Sequence, residues 1–210
     1  MKEYFDKAFT RIAVLGSGTM GGQIAAHFAN LGFDTTMFDT SEEALSKSIA
    51  MMKKLKPTPF ASSSVSGLIK TSTYDDLTAI SGCDFIIESI VENLDIKKKL
   101  FKQISPHVND NAILVTNTSG LSIQKIAESA PDILRSRIFG VHFFNPPRYL
   151  PLVELIRTSY SDESLLAKAE GFITSALGKE VVYAKDSPAF VANRICLLYT
   201  SDAADEGLGV

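Results

Sequence analysis

The chain has 210 residues, enough for one large domain or for one domain and part of a second. With a net charge of −3 and 45% hydrophobic residues, it can bury a core but lacks the basic surface that nucleic-acid binding needs. It has no apolar run that could span a membrane, no secretion signal in MKEYFDKAFTR, and too few cysteines for a disulfide framework, which predicts a cytoplasmic location. Its three histidines have no metal-ligand spacing, and we predict no metal.

Apolar strands and amphipathic helices alternate along the chain. The candidate strands are Ile12–Leu15, Thr35–Phe38, Ile69–Ser72, Phe85–Glu88, Ile113–Thr116, Ile138–His142, Leu152–Ile156 and Val181–Tyr183. The candidate helices are Gly21–Leu31, Glu42–Leu55, Leu94–Ile104, Ile123–Glu128 and Glu163–Leu177. This alternation predicts an α/β fold with a doubly wound, mostly parallel sheet, in which ligands bind beyond the carboxyl ends of the strands. The Pro- and Ser-rich segment Lys56–Ser66 is typical of a surface connection.

The most informative segment is the first strand with the loop that follows it, IAVLGSGTMGG. Its glycines follow the pattern Gly16-x-Gly18-x-x-Gly21 between an apolar strand and a helix. In dinucleotide-binding proteins these three positions serve a tight turn, a close approach to the pyrophosphate and the packing of helix on strand. We therefore predict a Rossmann-like fold whose dinucleotide-binding residues are Gly16, Ser17, Gly18, Thr19, Met20 and Gly21. The alternative is a glycine turn in another βαβ unit.

The second predicted strand ends in an acid, Asp39. It lies 23 residues after Gly16, close to the separation of roughly 20 expected for the acid that binds the ribose 2′-hydroxyl. Thr40 and Ser41 follow it, and no Arg is present there to receive a 2′-phosphate, so NAD is favoured over NADP. The alternative is that Asp39 caps the next helix.

His142 closes the sixth predicted strand, and Glu154 lies in the seventh. A His can take the hydroxyl proton in a metal-free alcohol dehydrogenation, while a carboxylate fixes its tautomer and stabilises the imidazolium. Pro146 and Pro147 would turn the chain between the two strands, so that the pair could meet. Spacing alone favours a structural His and a surface Glu.

Several segments carry a family resemblance: LGSGTMGGQIA, FDTSEEAL, IIESIVENLDIKKKLF, TNTSGLSI, GVHFFNPPRYLPLVELI, LGKEVVYAKDSPAF and VANR. From about Arg11 to Ile195 the chain resembles the NAD-binding half of 3-hydroxyacyl-CoA dehydrogenases. The segments NTSG and HFFNPPRYL resemble most the long bacterial members in which the dehydrogenase is fused to an enoyl-CoA hydratase domain. The resemblance implies NAD as cofactor, an acyl-CoA thioester as substrate, and oxidation of (S)-3-hydroxyacyl-CoA to 3-oxoacyl-CoA in fatty acid β-oxidation.

The resemblance also implies roles for individual residues. The implied catalytic residues are His142 as general base, Glu154 as its partner, and Ser119 and Asn193 as ligands of the substrate's C3 oxygen. The implied cofactor contacts, beyond the glycine segment and Asp39, are Glu92, Lys97, Ser119 and Asn145.

Simpler interpretations of these residues stay open. Glu92 and Lys97 could be a solvated charge pair, Ser119 a helix cap, and Asn193 a solvent-facing helix residue. A basic cluster of Lys53, Lys54 and Lys56 could meet CoA phosphates, but a solvated helix end is favoured.

The resemblance predicts three segments: an NAD-binding domain over residues 1–184, a stub of a helical C-terminal domain over 185–195, and a non-native tail over 196–210. In the family, VANRI leads into a helical domain that covers the acyl chain and forms the dimer, so the intact parent would be a homodimer or larger. Here CLLYTSDAADEGLGV follows, which resembles a translated transposase-type sequencing adapter. We expect NAD binding with poor turnover. The alternatives are a non-catalytic NAD-binding module and a related β-hydroxyacid dehydrogenase that acts on a free acid.

Overall fold

The computed structural model describes residues 9–195, and the predicted tail lies outside the described residues. Its strands are β1 (Arg11–Leu15), β2 (Asp34–Asp39), β3 (Lys70–Thr73), β4 (Phe85–Glu88), β5 (Ile113–Thr116), β6 (Ile138–Phe143), β7 (Leu152–Ile156) and β8 (Glu180–Ala184). Its helices are α1 (Thr19–Asn30), α2 (Glu42–Met52), α3 (Leu94–Ile104), α4 (Ile123–Glu128), α5 (Asp132–Arg135) and α6 (Glu163–Ser175). Within this range no helix is long and apolar enough to cross a membrane.

The strands form one sheet in the order β3-β2-β1-β4-β5-β6-β7-β8. All neighbouring pairs are parallel except β6 and β7, which are antiparallel. The chain order reverses between β1 and β4, which is the switch point of a doubly wound sheet. The predicted mostly parallel Rossmann-like α/β fold is therefore confirmed.

Two apolar layers cover the two faces of the sheet. Along β1, Ile12 and Val14 point into one layer, and Ala13 and Leu15 point into the other, as the period of two in a strand requires. Helices α1, α2 and α6 pack on the first face, and α3, α4 and α5 pack on the second. Burial on both faces holds the strand ends, and therefore the residues that follow them, in fixed positions.

The segment Lys56–Ser66 connects α2 to β3, and most of its residues are exposed, as its composition predicts. Phe60 and Val65 within it are buried in the core beneath α1. The Asn30 side chain holds the segment on both sides of Phe60. Its Nδ2 donates to the Pro59 carbonyl, and its Oδ1 accepts from Ala61 N–H, each at 2.7 Å. The prediction of a surface connection is confirmed for the exposed polar residues, but the composition did not indicate that Phe60 and Val65 anchor the segment in the core.

Candidate active site

A cavity of about 760 Å³ lies at the carboxyl ends of the central strands, where the chain order reverses. The residues that follow these strands and line it are Gly16, Gly18, Thr19, Met20, Asp39, Thr40, Ser89, Ile90, Val91, Glu92, Asn117 and Ser119. The remaining wall comes from Tyr74 after β3 and from Ile96, Lys99, Leu100 and Gln103 of α3. Both the position and the volume are typical of a small-molecule cofactor site in an open α/β sheet.

The three glycines of the turn from β1 into α1 serve two purposes. Gly16 and Gly21 allow close packing, and Gly18 leaves room for a ligand. Gly16 has a φ of +103°, and a Cβ on Gly21 would lie 2.0 Å from the Gly16 carbonyl oxygen. A Cβ on Gly18 would meet nothing within 4 Å, and Gly18 borders the cavity. Gly18 is also the N-cap of α1, whose first turn carries neither a side-chain cap nor an acid. The uncapped first-turn N–H groups and the positive end of the helix dipole fit the pyrophosphate of a dinucleotide.

Asp39 joins the glycine loop to the end of β2. Its Oδ2 accepts from Ser17 N–H at 2.7 Å, and its Oδ1 accepts from Thr40 N–H at 2.7 Å. Burial raises the pKa of Asp39, but the hydrogen bonds from Ser17 and Thr40 outweigh it, so the pKa lies below its ordinary value. The N-cap of α2 is Ser41, so the interpretation of Asp39 as a helix cap is wrong. An ionised carboxylate on the cavity wall fits a ribose hydroxyl.

Glu92 and Lys97 do not form a solvated charge pair. The Lys97 side chain is 1% exposed, and its Nζ lies 2.6 Å from Glu88 Oε1 and 3.4 Å from Glu92 Oε2. Glu88 also accepts from the Thr116 hydroxyl at 2.6 Å and from Ile90 N–H at 2.7 Å. Lys97 therefore lies behind the cavity wall, and any contact it makes with a cofactor would run through Glu92.

Glu92 binds the loop that follows β5. Its Oε1 accepts from the Thr118 hydroxyl at 2.5 Å, from Ser119 N–H at 2.8 Å and from Gly120 N–H at 3.2 Å. Burial raises the pKa of Glu92, but the Thr118 hydrogen bond and the Lys97 charge bring it below the ordinary value. The carboxylate is therefore ionised where it borders the cavity.

His142 and Glu154 meet across the only antiparallel pairing within the described sheet. The ladder of β6 and β7 places them directly opposite each other, and His142 Nδ1 lies 2.7 Å from Glu154 Oε2. Glu154 is 0% exposed, so the alternative of a surface Glu is wrong. The rings of Phe144 and Phe190 lie 4.7 and 5.7 Å from the imidazole. The predicted meeting of the pair on neighbouring strands is confirmed.

The second oxygen of Glu154 connects this pair to the last described residues. Glu154 Oε1 accepts from the N–H groups of Val191 and Ala192, each at 2.9 Å, where a helical turn over residues 192–195 begins. The Asn193 amide then donates to the Ser119 carbonyl at 3.2 Å. Ser119 does not cap α4, because Ser122 is the N-cap. The structure thus brings the four predicted catalytic residues into one connected group.

Several predicted cofactor residues do not line the cavity. Ser17 holds Asp39, and Gly21 packs on Gly16, so both shape the wall from inside. Asn145 Oδ1 accepts from Gln23 Nε2 of α1 at 3.1 Å. For these residues and for Lys97, direct contact with a cofactor stays a prediction. Lys53, Lys54 and Lys56 are exposed, as expected for a solvated helix end.

Two polar residues beside the cavity, Glu88 and Asn117, were assigned no role from the sequence, although Asn117 was expected among the polar residues that follow strands. Glu88 ends the apolar strand FIIE as Asp39 ends β2, and an acid closing a buried strand was the available signal. Asn117 Oδ1 accepts from Phe143 N–H at 2.8 Å, which connects the cavity to the residue beside His142. No local pattern indicates that contact.

Fold and site together define a dinucleotide-binding domain of the dehydrogenase class. A family model described as "3-hydroxyacyl-CoA dehydrogenase, NAD binding domain" matches residues 11–187. The chain therefore belongs to this family of NAD-binding domains, and NAD is the cofactor of the domain.

Individual relatives agree with the family. A Bacillus subtilis protein named "Probable 3-hydroxyacyl-CoA dehydrogenase" is 39% identical over 211 residues, with 90% of this chain and 27% of that protein covered. Mycobacterium tuberculosis FadB2 superposes with a TM-score of 0.84 at 30% identity, covering 96% of this chain and 74% of that one. The (S)-3-hydroxybutyryl-CoA dehydrogenase PaaH1 of Ralstonia eutropha superposes with a TM-score of 0.82 at 35% identity, covering 96% and 73%. The chain thus spans about a quarter of the length of the Bacillus relative.

Proposed function

We propose that the chain is the cofactor-binding half of an NAD-dependent (S)-3-hydroxyacyl-CoA dehydrogenase, which forms 3-oxoacyl-CoA in fatty acid β-oxidation. The observation that carries this proposal is the buried His142–Glu154 pair, whose nitrogen and oxygen lie 2.7 Å apart. The names of the relatives, which refer to 3-hydroxyacyl-CoA and 3-hydroxybutyryl-CoA, support the acyl-CoA substrate.

The chemistry follows from the two nitrogens of His142. Glu154 accepts a hydrogen bond from Nδ1–H, which leaves Nε2 to take the proton of the substrate hydroxyl, and the carboxylate then stabilises the imidazolium. When bound, NAD would be the two-electron oxidant and would accept the hydride from C3 as His142 takes the proton. Ser119 and Asn193, joined by their own hydrogen bond, orient the C3 oxygen toward His142.

The same proposal extends to the regions beyond the NAD-binding domain. Residues 185–195 would begin a helical domain that covers the acyl chain and forms a dimer in the intact parent, which would act in the cytoplasm. The helical turn over residues 192–195 and the greater length of the Bacillus relative support this division.

Substrate choice tests the proposal against its two alternatives. The purified 210-residue chain is mixed with NADH and either acetoacetyl-CoA or free acetoacetate, and NADH loss is followed by absorbance. We expect the chain to bind NADH, and to oxidise it slowly with acetoacetyl-CoA but not with free acetoacetate. Faster reaction with the free acid would favour a β-hydroxyacid dehydrogenase, and binding without reaction of either would favour a non-catalytic module.

The substitution His142→Gln tests the general base. We expect turnover to fall about a hundredfold or more, since general base catalysis contributes roughly that factor, while the NADH dissociation constant changes less than about twofold. His107→Gln, on an exposed histidine, is the matched control and should leave both quantities unchanged. A large loss of NADH affinity in His142→Gln would instead indicate a structural histidine.

A further inference from the structure

We propose that the cluster Glu88–Lys97–Glu92 carries one net negative charge at the wall of the cofactor cavity, which raises the affinity for the oxidised, cationic nicotinamide relative to that for the reduced, neutral one. The inference rests on the proposed function and adds a property of the same site. It assigns Glu88 and Lys97 as positioning residues and Glu92 as the residue whose charge sets the affinity for NAD⁺ relative to NADH.

The charges of the cluster do not cancel. Glu88 and Lys97 are each 1% exposed and lie 2.6 Å apart, so they neutralise each other in the interior, as a buried ion requires. Glu92 is the second and more distant partner of the same ammonium, at 3.4 Å. Two carboxylates therefore share one cation, and one negative charge is left.

The remaining charge lies where the cavity meets the proposed catalytic residues. Glu92 is 44% exposed and borders the cavity, and its hydrogen bond to Ser119 N–H connects it to the group that includes Asn193. Asp39 ends β2, on the other side of β1 from β4, so it borders the opposite part of the cavity. A dinucleotide whose ribose meets Asp39 would place its nicotinamide toward Glu92.

The alternative is that Glu92 only orders the loop over residues 118–120. That role would affect every ligand of the cavity equally, because it changes the shape of the wall. A charge, by contrast, distinguishes ligands that differ in charge at one end, since its interaction with the pyrophosphate is common to all of them and only its interaction with the ring differs. NAD⁺, NADH and ADP-ribose together separate the two cases, because ADP-ribose lacks the nicotinamide.

The first test is Glu92→Gln in the 210-residue chain, with the three dissociation constants measured by calorimetry. The amide keeps an oxygen that can accept from Thr118 and Ser119 but removes the charge. We expect the constant for NAD⁺ to rise about threefold or more relative to that for NADH, and that for ADP-ribose to change less than about twofold. An equal rise for all three ligands, or an unchanged ratio of NAD⁺ to NADH, would overturn the proposal.

The second test is Glu88→Gln, at a residue that does not line the cavity. Lys97 would then neutralise Glu92, so the ratio should shift in the same direction as in Glu92→Gln, with thermal melting used to confirm that the variant is folded. Asp95→Asn, an equal loss of charge on exposed α3 surface, should leave the ratio unchanged. The same shift in Asp95→Asn, or none in folded Glu88→Gln, would contradict the assignment. If the unsubstituted chain bound none of the three ligands, the proposed function itself would fail.

Discussion

The carboxylate of Asp39 both holds the glycine loop and borders the cavity. Its Oδ2 accepts from Ser17 N–H, and its Oδ1 accepts from Thr40 N–H, so two successive turns are attached to the end of β2. The low pKa that these donors cause keeps the group ionised at neutral pH. An anion in this position attracts ribose hydroxyls and repels a 2′-phosphate.

The substitution Asp39→Asn should weaken the preference for NADH over NADPH. We expect the unsubstituted chain to favour NADH about a hundredfold, because like charges brought together cost several kcal/mol, and the variant to favour it about tenfold or less. Fluorescence titration with each cofactor measures this. Asp34→Asn, at the other end of β2, is the control. An unchanged preference in Asp39→Asn would mean that another group excludes the phosphate.

The turn from β1 into α1 shows how an element places a binding surface. Gly21 lies against Gly16 and has no space for a side chain, whereas Gly18 faces the cavity with open space. The backbone at Gly18 has φ −63° and ψ −171°, which any residue can adopt. The two glycines are therefore required for different reasons, one for packing and the other for ligand access.

This difference predicts that one alanine substitution affects stability and the other affects NADH binding. Gly21→Ala should lower the free energy of unfolding by about 2 kcal/mol or more, since its Cβ would meet backbone at 2.0 Å. Gly18→Ala should change it by less than about 0.5 kcal/mol but weaken NADH binding at least about tenfold. Urea denaturation and NADH titration of both variants test this. Normal NADH affinity in Gly18→Ala would contradict the assigned phosphate contact.

At the scale of the whole molecule, burial of His27 makes stability depend on pH. His27 of α1 is 6% exposed, and its Nε2 has no hydrogen-bond partner in the described structure. Burial, with smaller effects from the charges of Lys179 and Arg148, lowers its pKa from 6.5 to about 4. Because the folded chain holds this imidazole neutral, its contribution to stability is complete above pH 6.5 and is lost as the pH falls toward 4.

The His27→Leu variant should lose much of this pH dependence. Between pH 7 and pH 5 the titration of His27 should cost the unsubstituted chain about 2 kcal/mol of unfolding free energy. The total loss measured for the variant should be smaller by this contribution. His107→Leu, on the surface, should keep the original dependence. Urea denaturation at the two pH values measures each difference, and parallel losses in the chain and in His27→Leu would show that His27 is not responsible.

Local sequence accounted for the elements and for the residues that follow strands. β4, β5 and β7, like α3 and α4, match their predicted bounds, because alternation, helical period and caps are local signals. The prediction missed the short helix α5 and the burial of Phe60 and Val65. It also missed Glu88, since nothing local shows that its partner Lys97 lies in the next helix and points inward.

The sequence by itself determined the alternation of elements, the glycine loop and the acid at the end of β2, because each depends on residues close together along the chain. Only the tertiary structure decided which distant side chains meet. The antiparallel turn of β7 against β6 sets Glu154 opposite His142, and the return of the chain after β8 brings Asn193 to Ser119. These contacts depend on sheet order and register, which arise when the whole chain buries its two apolar layers.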